Sequence, residues 1–119
     1  MWQPRAPDFD TVLCLSTSKW VHLNWGDAGL KRLFERVFAC LKPGGAFVLE
    51  PQPWSSYRKR ATLTPTIQRN FRELQIRPAQ FESYLLQEVG FKHAERFSVP
   101  YEEEQSAGFK RRPLLVFTK

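Results

Sequence analysis

FDTVLCLS, from Phe9 to Ser16, and AFVLE, from Ala46 to Glu50, are the two stretches of sequence that decide the fold. Each is a short, almost continuous apolar run rich in β-forming residues, which is the pattern of a strand buried in a parallel sheet. Asn24 or Asp27 can cap a helix between them, and the segment Lys42 to Gly45 (KPGG) stops it. The core stripe of this helix is predicted from helical spacing to be Leu30, Leu33, Phe34, Val37, Phe38 and Leu41. Strand, helix and strand joined by short links predict a βαβ unit in a parallel sheet.

Downstream of this unit the sequence predicts two helices and two strands. Thr64-Pro65 is a cap and first-turn pair, and Pro78 opens a second helix that Gly90 ends. Phe91 to Pro100 and Pro113 to Thr118 read as strands, and the polar connection between them favours antiparallel pairing. The remaining segments are predicted as loops: Met1 to Asp8 (a loop or a ragged end), Thr17 to Gly26, Pro51 to Arg60 and Tyr101 to Gly108.

The resulting element order, β-α-β-α-α-β-β with an antiparallel final strand, predicts an α/β protein. It is similar to the C-terminal half of a class I, Rossmann-like methyltransferase, in which the last strand lies between its two predecessors. We therefore expect the spatial strand order first, second, fourth, third. This is an analogy between folds, and a fold alone does not specify a function.

The composition indicates one globular domain with a basic surface. The 119 residues are 42% hydrophobic and carry a formal net charge of +6, with a pI near 9.7, which favours a polyanionic partner such as RNA. No apolar run approaches the ~20 residues that span a bilayer, so no membrane association is expected. Cys14 and Cys40 lack metal-ligand spacing and lie in apolar segments, which predicts reduced core cysteines rather than a disulfide or a zinc site.

Charged residues are clustered in three triplets. Arg58-Lys59-Arg60 and Lys110-Arg111-Arg112 are basic, and Glu102-Glu103-Glu104 is acidic. The first basic triplet follows an aromatic loop. That placement favours contact with an RNA backbone over a merely solvated face.

Two longer strings carry a resemblance to a known family. LCLSTSKWVHLNWGDAGL, from Leu13 to Leu30, and LEPQPWSSYRKR, from Leu49 to Arg60, closely resemble the bicoid-interacting-protein family of RNA methyltransferases, which cap small nuclear RNA with a 5′ methylphosphate. LKPGG and the closing GFKRRPLLVFTK resemble that family too, so the similarity covers nearly the whole chain. The sequence departs from the family at Thr17-Ser18, at Arg58 (a glycine in the family) and in the loop Glu102 to Ser106, which leaves the substrate preference within the family open.

The resemblance implies a reaction and its partners. The family transfers a methyl group from S-adenosylmethionine to the γ-phosphate oxygen of a small nuclear RNA with a 5′ triphosphate. We therefore expect a nuclear protein whose partners are this RNA and protein subunits of a small nuclear ribonucleoprotein, without a metal. Because a phosphate oxygen is already ionised at neutral pH, the reaction needs alignment and cations rather than a strong general base. Two alternatives stay open: a methyltransferase acting on an RNA 5′ monophosphate, and a non-catalytic RNA- or protein-binding fragment.

Most of the cofactor site implied by the family has no counterpart in the sequence. Such a site needs a glycine-rich turn after the first strand and an acidic residue beyond the second. No such turn is formed by the six glycines, which are Gly26, Gly29, Gly44, Gly45, Gly90 and Gly108. We therefore interpret residues 1–119 as a partial methyltransferase domain that lacks the cofactor-binding N-terminal half and is inactive by itself.

The resemblance also assigns functional residues. Leu15 and Ser16 end the first strand, where the family contacts the cofactor, although Leu15 is equally compatible with a core position. Lys19 and His22 are the candidate catalytic residues: Lys19 matches a family lysine near the RNA triphosphate, and His22 either donates to a phosphate or satisfies backbone groups. The candidate RNA-binding residues are Lys19, Trp20, Gln52, Trp54, Ser55, Tyr57, Arg58, Lys59 and Arg60.

Some side chains near this site also have a structural interpretation. Trp54 either contacts RNA or covers the core, and Trp20 either stacks on a base or packs. Trp25 is predicted to pack its loop onto the helix, and Asn24 to cap the helix. The strand Phe9 to Ser16 is expected to form a long apolar sheet edge, which favours association with another chain.

Overall fold

The computed structural model describes residues 7–98 and 113–119. The strands in these ranges are β1 (Phe9–Leu15), β2 (Leu41–Glu50), β3 (His93–Ser98) and β4 (Pro113–Thr118). The helices are α1 (Ser18–Cys40), α2 (Trp54–Arg60), α3 (Pro65–Glu73) and α4 (Phe81–Tyr84), with a 3-10 turn before α4 (Pro78–Gln80) and a π-helical turn after it (Leu85–Val89). The protein is therefore the mixed α/β fold that the sequence predicts, with α2 as an additional helix.

The four strands form one sheet in the order β1-β2-β4-β3. β1 and β2 are parallel, with Cys14 opposite Leu49 and Leu15 opposite Glu50. β4 runs antiparallel to both of its neighbours, β2 and β3. The C-terminal strand thus lies between its two predecessors, in the expected position, and the antiparallel pairing of the last two strands is confirmed.

The main core lies between α1, one face of the sheet and the α4 region. Its buried side chains are Cys14, Leu30, Phe34, Val37, Leu41, Phe47, Leu49, Phe81, Leu85, Phe91, Leu115 and Phe117. The predicted core stripe is confirmed at Leu30, Phe34 and Val37 of α1. Leu33 and Phe38 are half-buried and pack at the margin of the core, and Leu41 is buried but begins β2. The face of α1 that carries this stripe fixes the helix on the sheet.

β1 is less buried than its apolar sequence predicts. Cys14 is its buried residue, whereas the side chains of Phe9, Leu13 and Leu15 are 52%, 62% and 46% exposed. Among the described strands β1 pairs only with β2, at one edge of the sheet. Because alternate side chains of a strand point to opposite faces, packing of α1 on one face leaves the other face of β1 open. The prediction of a buried strand is therefore wrong, and the prediction of an apolar sheet edge is confirmed.

Two segments predicted as loops are helical. The residues from Ser18 to Trp25 form the first part of α1, and Trp54–Arg60 form α2. α1 is kinked at Gly26, whose φ of 70° and ψ of −168° lie outside the helical region. The helical repeat of the first part is hidden in the sequence because three of its four buried residues, Ser18, Lys19 and His22, are polar.

The boundaries of the two helical segments after α2 agree with the sequence, whereas the starts of β2 and β3 differ from it. Thr64 caps α3, since its hydroxyl accepts a hydrogen bond from the backbone N–H of Ile67 at 3.0 Å. Pro78 opens the second helical segment, and Gly90 ends it with a left-handed φ of 108°. β2 begins at Leu41 rather than at Ala46, because the backbone is already extended there.

Some predicted features lie outside the described residues. They are the N-terminal residues 1–6, the end of the predicted third strand (Val99 and Pro100), the connection Tyr101 to Gly108 with its acidic triplet, and the basic triplet Lys110 to Arg112.

The described ranges contain no helix that is both long and apolar enough to cross a membrane. Residues 7–98 and 113–119 also contain no group of three or more His, Cys, Asp or Glu side chains placed to hold a metal ion. Cys14 and Cys40 are both free thiols, and burial raises the pKa of the Cys14 thiol. The predicted core position is confirmed for Cys14, whereas Cys40 is only half-buried.

Candidate functional site

The candidate residues follow two parallel strands that end side by side. Leu15 at the end of β1 is paired in register with Glu50 at the end of β2. The carboxyl ends of parallel strands are where open α/β sheets form their ligand crevices. Residues 16–22, which follow β1, are joined to the end of β2 and the segment after it, residues 50–57, by hydrogen bonds between Ser16 and Glu50, Lys19 and Gln52, Lys19 and Ser56, and His22 and Tyr57.

The turn after β1 is held in an uncommon backbone conformation. Ser16 has a left-handed φ of 54°, which costs a residue other than glycine about 1–3 kcal/mol. Its hydroxyl donates to a carboxylate oxygen of Glu50, and the Thr17 hydroxyl donates to the carbonyl of Leu15 at 2.8 Å. The strained turn thereby directs the chain from the sheet edge into α1.

Gln52 holds the beginning of α1 against the segment after β2. It is 2% exposed, and its side-chain oxygen accepts from the Ser18 hydroxyl and from the backbone N–H of Lys19, both at 3.3 Å. Thr17, the residue at the N-cap position, makes no side-chain cap. Gln52 therefore satisfies a first-turn amide of α1 from 33 residues away.

Lys19 and Ser56 form a polar pair at this edge. The Lys19 ammonium donates to the Ser56 hydroxyl at 2.9 Å and lies 4.6 Å from the centre of the Trp20 ring. The Lys19 side chain is only 8% exposed, although it is a lysine. A lysine ammonium carries three donor protons, so it can keep the bond to Ser56 and still donate to an anion.

His22 is enclosed in a chain of hydrogen bonds. Its Nε2 lies 2.7 Å from an oxygen of Asp27, and its Nδ1 lies 2.8 Å from the hydroxyl of Tyr57. Because a carboxylate accepts, Nε2–H donates to Asp27 and the Tyr57 hydroxyl donates to Nδ1. The same carboxylate accepts from the backbone N–H groups of Gln75 at 2.8 Å and Ile76 at 3.5 Å. This chain joins α1, α2 and the segment after α3.

His22 and Tyr57 are both fully buried, which sets their protonation. Burial lowers the pKa of His22, and its hydrogen bond to Asp27 opposes this only in part. Burial, followed by the charge of Asp27, raises the pKa of Tyr57. A neutral imidazole and a neutral phenol are therefore the stable forms, and neither side chain is placed to touch a phosphate at the surface.

Trp54 packs in a second, smaller core. Its ring stacks on Tyr57 at 5.2 Å and on Phe71 at 4.9 Å between centres, and the Arg77 guanidinium lies 4.3 Å from the ring centre. The buried residues of this cluster are Leu23, Tyr57 and Ile67. Of the two interpretations of Trp54, the structure supports the one in which it covers a core.

The basic triplet Arg58-Lys59-Arg60 is exposed in the last turn of α2. Cations at a helix C-terminus are favoured by the helix dipole. Ser55 is half-buried in the first turn of the same helix. α2 therefore presents the triplet on the same short element as Ser56, the partner of Lys19.

Two local predictions on α1 are wrong. The Asn24 side chain donates to the Trp20 carbonyl within α1, so it does not cap the helix. Trp25 is 66% exposed rather than packed. Both errors have one cause: the helix break lies at Gly26, after these residues, whereas the sequence suggests that the helix begins there. Asp27, predicted only as a possible cap, instead accepts the bond from His22.

The described residues offer one edge for a nucleoside cofactor and no more. Leu15 is 46% exposed at the crevice, but the Ser16 hydroxyl is already bound to Glu50. Glu50, the last residue of β2, places an acidic group at this edge, but its carboxylate already accepts a hydrogen bond from the Ser16 hydroxyl. The residues that the structure describes, 7–98 and 113–119, therefore do not by themselves fit S-adenosylmethionine.

A family model described as bicoid-interacting protein 3 (Bin3) matches residues 9–119. The chain is 53% identical over 118 residues to the human 7SK snRNA methylphosphate capping enzyme, a match that covers 98% of this chain and 17% of that protein. It is 45% identical over 116 residues to the U6 snRNA methylphosphate capping enzyme Amus of Drosophila melanogaster, covering 97% of this chain and 38% of that protein. The chain thus spans less than two-fifths of the length of either relative.

A shorter match and one solved structure complete the comparison. The rat RNA 5′-monophosphate methyltransferase is 42% identical over 53 residues, which are 44% of this chain and 18% of that protein. A crystal structure from Bordetella parapertussis, described as a possible exported protein, matches with a TM-score of 0.54 at 20% identity. It covers 97% of this chain and 40% of that one, and at this identity it supports the fold alone.

Proposed function

The chain belongs to the bicoid-interacting protein 3 family, and from this premise we propose that it is the C-terminal part of a class I, Rossmann-like methyltransferase that transfers a methyl group from S-adenosylmethionine to the 5′ γ-phosphate of an RNA. The RNA is a small nuclear RNA with a 5′ triphosphate, met in the nucleus together with protein subunits of its ribonucleoprotein. The names of two relatives that match nearly the whole chain, one a 7SK and the other a U6 snRNA methylphosphate capping enzyme, support this substrate class.

The pair of Lys19 and Ser56 carries the proposal. A cation and a hydroxyl lie 2.9 Å apart at the carboxyl edge of a parallel strand pair. Both groups can donate to the oxygens of one phosphate, and a charge-assisted hydrogen bond from an ammonium is stronger than a neutral one. The restricted motion of a nearly buried Lys19 reduces the entropy lost when a phosphate binds.

The proposed reaction requires mainly that the chain hold the acceptor phosphate in position. The acceptor oxygen is ionised at neutral pH, so no side chain needs to remove a proton from it. Lys19 offsets the phosphate charge and fixes its orientation, and Arg58-Lys59-Arg60 attract the RNA backbone without reading its bases. His22, through Tyr57, is a positioning residue that holds α2 against α1.

The methyl donor is bound mainly by residues outside these 119. S-adenosylmethionine supplies the electrophilic methyl group when it is bound, and Leu15 with Ser16 forms only one border of its site. By itself the chain would then bind RNA without methylating it. A second candidate function, a non-catalytic RNA-binding module, predicts the same result for this chain. The exposed basic triplet on α2 favours this second candidate.

Replacing Lys19 with methionine tests the phosphate assignment. We expect K19M to weaken binding to a 5′-triphosphate RNA hairpin by about 10- to 100-fold, the effect of losing one charge-assisted hydrogen bond. Binding to the same hairpin with a 5′ hydroxyl should change little. Fluorescence anisotropy measures both affinities.

Lys31 provides the matched control, because it is an exposed lysine of the same helix. Equal losses in K19M and K31M would show that Lys19 acts only as part of the general basic field. A hairpin with a 5′ monophosphate forms the third arm. Wild-type binding to it as tight as to the triphosphate would support the monophosphate substrate of the more distantly matched relatives instead.

A further inference from the structure

Trp25 is an aromatic side chain that the fold presents to solvent. It is 66% exposed, while Trp54 on α2 is half-buried in a ring stack. Large aromatic side chains gain more from burial than almost any other residue. An exposed tryptophan on an otherwise well-packed helix is therefore a candidate binding residue.

The backbone around Trp25 is shaped for this presentation. Gly26 adopts a left-handed φ of 70°, which other residues rarely adopt, and it breaks α1 directly after Trp25. A Cβ placed on Gly29 would lie 2.3 Å from the Cβ of Trp25, so residue 29 must lack a side chain. The Trp25 side chain therefore starts against the bare backbone of Gly29.

A shallow cavity of about 290 Å³ opens beside this tryptophan. It is lined by Val21, Trp25, Gly29, Arg32, Leu33 and Arg36. Its lining residues combine one aromatic and two aliphatic side chains with two arginines. Trp25 and Lys19 lie on the same unbroken helical segment, six residues and ~9 Å apart along its axis, but about 120° apart around it.

We propose that this cavity, the Trp25 groove, binds a nucleotide of single-stranded RNA, with its base stacked on Trp25 and its phosphate near Arg32. An RNA nucleotide has both properties that the groove matches, since every base offers a flat π face and every linkage a negative charge. The net charge of +6 favours the same partner. The groove carries no buried polar group that would read a particular base, so the contact is independent of sequence.

This inference rests on the proposed function for its partner, RNA, but not for its site. Lys19 and Ser56 hold the 5′ phosphate of the RNA, whereas the Trp25 groove holds an internal nucleotide of the RNA on another side of α1. The groove therefore contributes to binding of RNA whatever group stands at its 5′ end. That difference separates the two proposals experimentally.

The test measures binding of the 119-residue chain to a ten-nucleotide single-stranded RNA with a 5′ hydroxyl. We expect W25L to weaken binding by about tenfold or more, because stacking needs an aromatic face, and W25F to retain most of the affinity. F97L is the matched control, since Phe97 is an exposed aromatic on β3, 48% exposed and outside the groove. Thermal melting of each variant verifies that the fold is kept.

The same RNA with a 5′ triphosphate distinguishes failure of this inference from failure of the proposed function. W25L should weaken both RNAs equally, while K19M should weaken only the triphosphate form. Unchanged affinity in W25L would overturn the Trp25 groove, whether or not K19M has its effect. Loss of self-association in W25L, without loss of RNA affinity, would identify a second copy of the chain as the occupant and overturn the proposal as well.

Discussion

Replacing His22 with alanine is expected to lower the free energy of unfolding by about 3–4 kcal/mol. The change leaves a cavity where a fully buried ring stood and removes the partner of the buried Tyr57 hydroxyl and of Asp27. The ring also lies 5.8 Å from Phe81, at the border of the main core. Urea titration followed by tryptophan fluorescence measures the change.

Two further variants isolate the hydrogen-bond chain. Y57F keeps the ring and removes only the hydroxyl, and it should cost about 1–2 kcal/mol because Nδ1 of His22 is left buried without its donor. H93A is the surface control, since the His93 side chain is 61% exposed on β3. If H22A were no more destabilising than H93A, the chain from Tyr57 to Asp27 would not hold the helices together.

Stability should also fall as the solution is acidified below pH 6.5, the ordinary pKa of histidine. Burial lowers the pKa of His22 in the folded state, so the unfolded chain takes up a proton first. The contribution of neutral His22 to the free energy of unfolding is complete above pH 6.5. It decreases as the pH falls toward the pKa of His22 in the folded state, with a slope of at most about 1.4 kcal/mol per pH unit. Urea titrations at several pH values check this.

H22Q and H93Q give opposite outcomes in the acid experiment. H22Q removes the buried imidazole, so its stability should be nearly flat between about pH 7 and 5.5, above the range in which ordinary carboxylates titrate. H93Q keeps the buried His22, so the part of the slope that disappears in H22Q should remain in H93Q. A slope that persists in H22Q would assign the acid sensitivity to another group.

Phe34→Ala should be at least as destabilising, by about 3–5 kcal/mol. Phe34 is fully buried, and its ring lies 5.4 Å from Phe81, 6.0 Å from Phe47 and 6.2 Å from Tyr84. It therefore joins α1, the sheet and α4 in one contact. Removing the ring leaves a cavity that three separate elements would have to close.

A milder variant and a surface control keep this prediction measurable. F34L should cost roughly 1–2 kcal/mol, because most of the buried volume is kept. F97A removes a ring that is 48% exposed on β3 and should cost less than about 1 kcal/mol. Equal effects of F34A and F97A on the urea midpoint would contradict the position of Phe34 at the centre of the core.

The strands could be predicted because their signals are local, whereas the order of the strands in the sheet came from the analogy with a known fold. Apolar runs mark the strands, and the stripe containing Leu30, Phe34 and Val37 marks the face of α1 that packs on them. The beginning of α1 could not be predicted, because the group that satisfies its first turn is Gln52, which lies 33 residues away in the sequence. The break at Gly26 is likewise invisible, since the sequence W-G-D is equally compatible with a helix start.

The site shows the same division between local and distant information. The family strings identified the two segments that meet, and the Lys19–Ser56 pair lies where they do. They could not separate surface residues from interior ones. The sequence predicts that Trp54 and Tyr57 bind RNA. In the structure Trp54 stacks against Phe71 and Arg77, which come from a later part of the chain and could not be identified as its neighbours from the sequence. His22 is likewise packed by distant residues, since its ring lies against Tyr57 and Phe81.

The kink at Gly26 divides α1 into two segments, which are expected to differ in the substitutions that they tolerate. The segment before it carries Lys19 and His22 and packs mainly with α2 and α3, whereas the segment after it carries Phe34 and packs on the sheet. A substitution in the first segment is therefore expected to disturb the contacts with α2 and α3 more than the packing on the sheet.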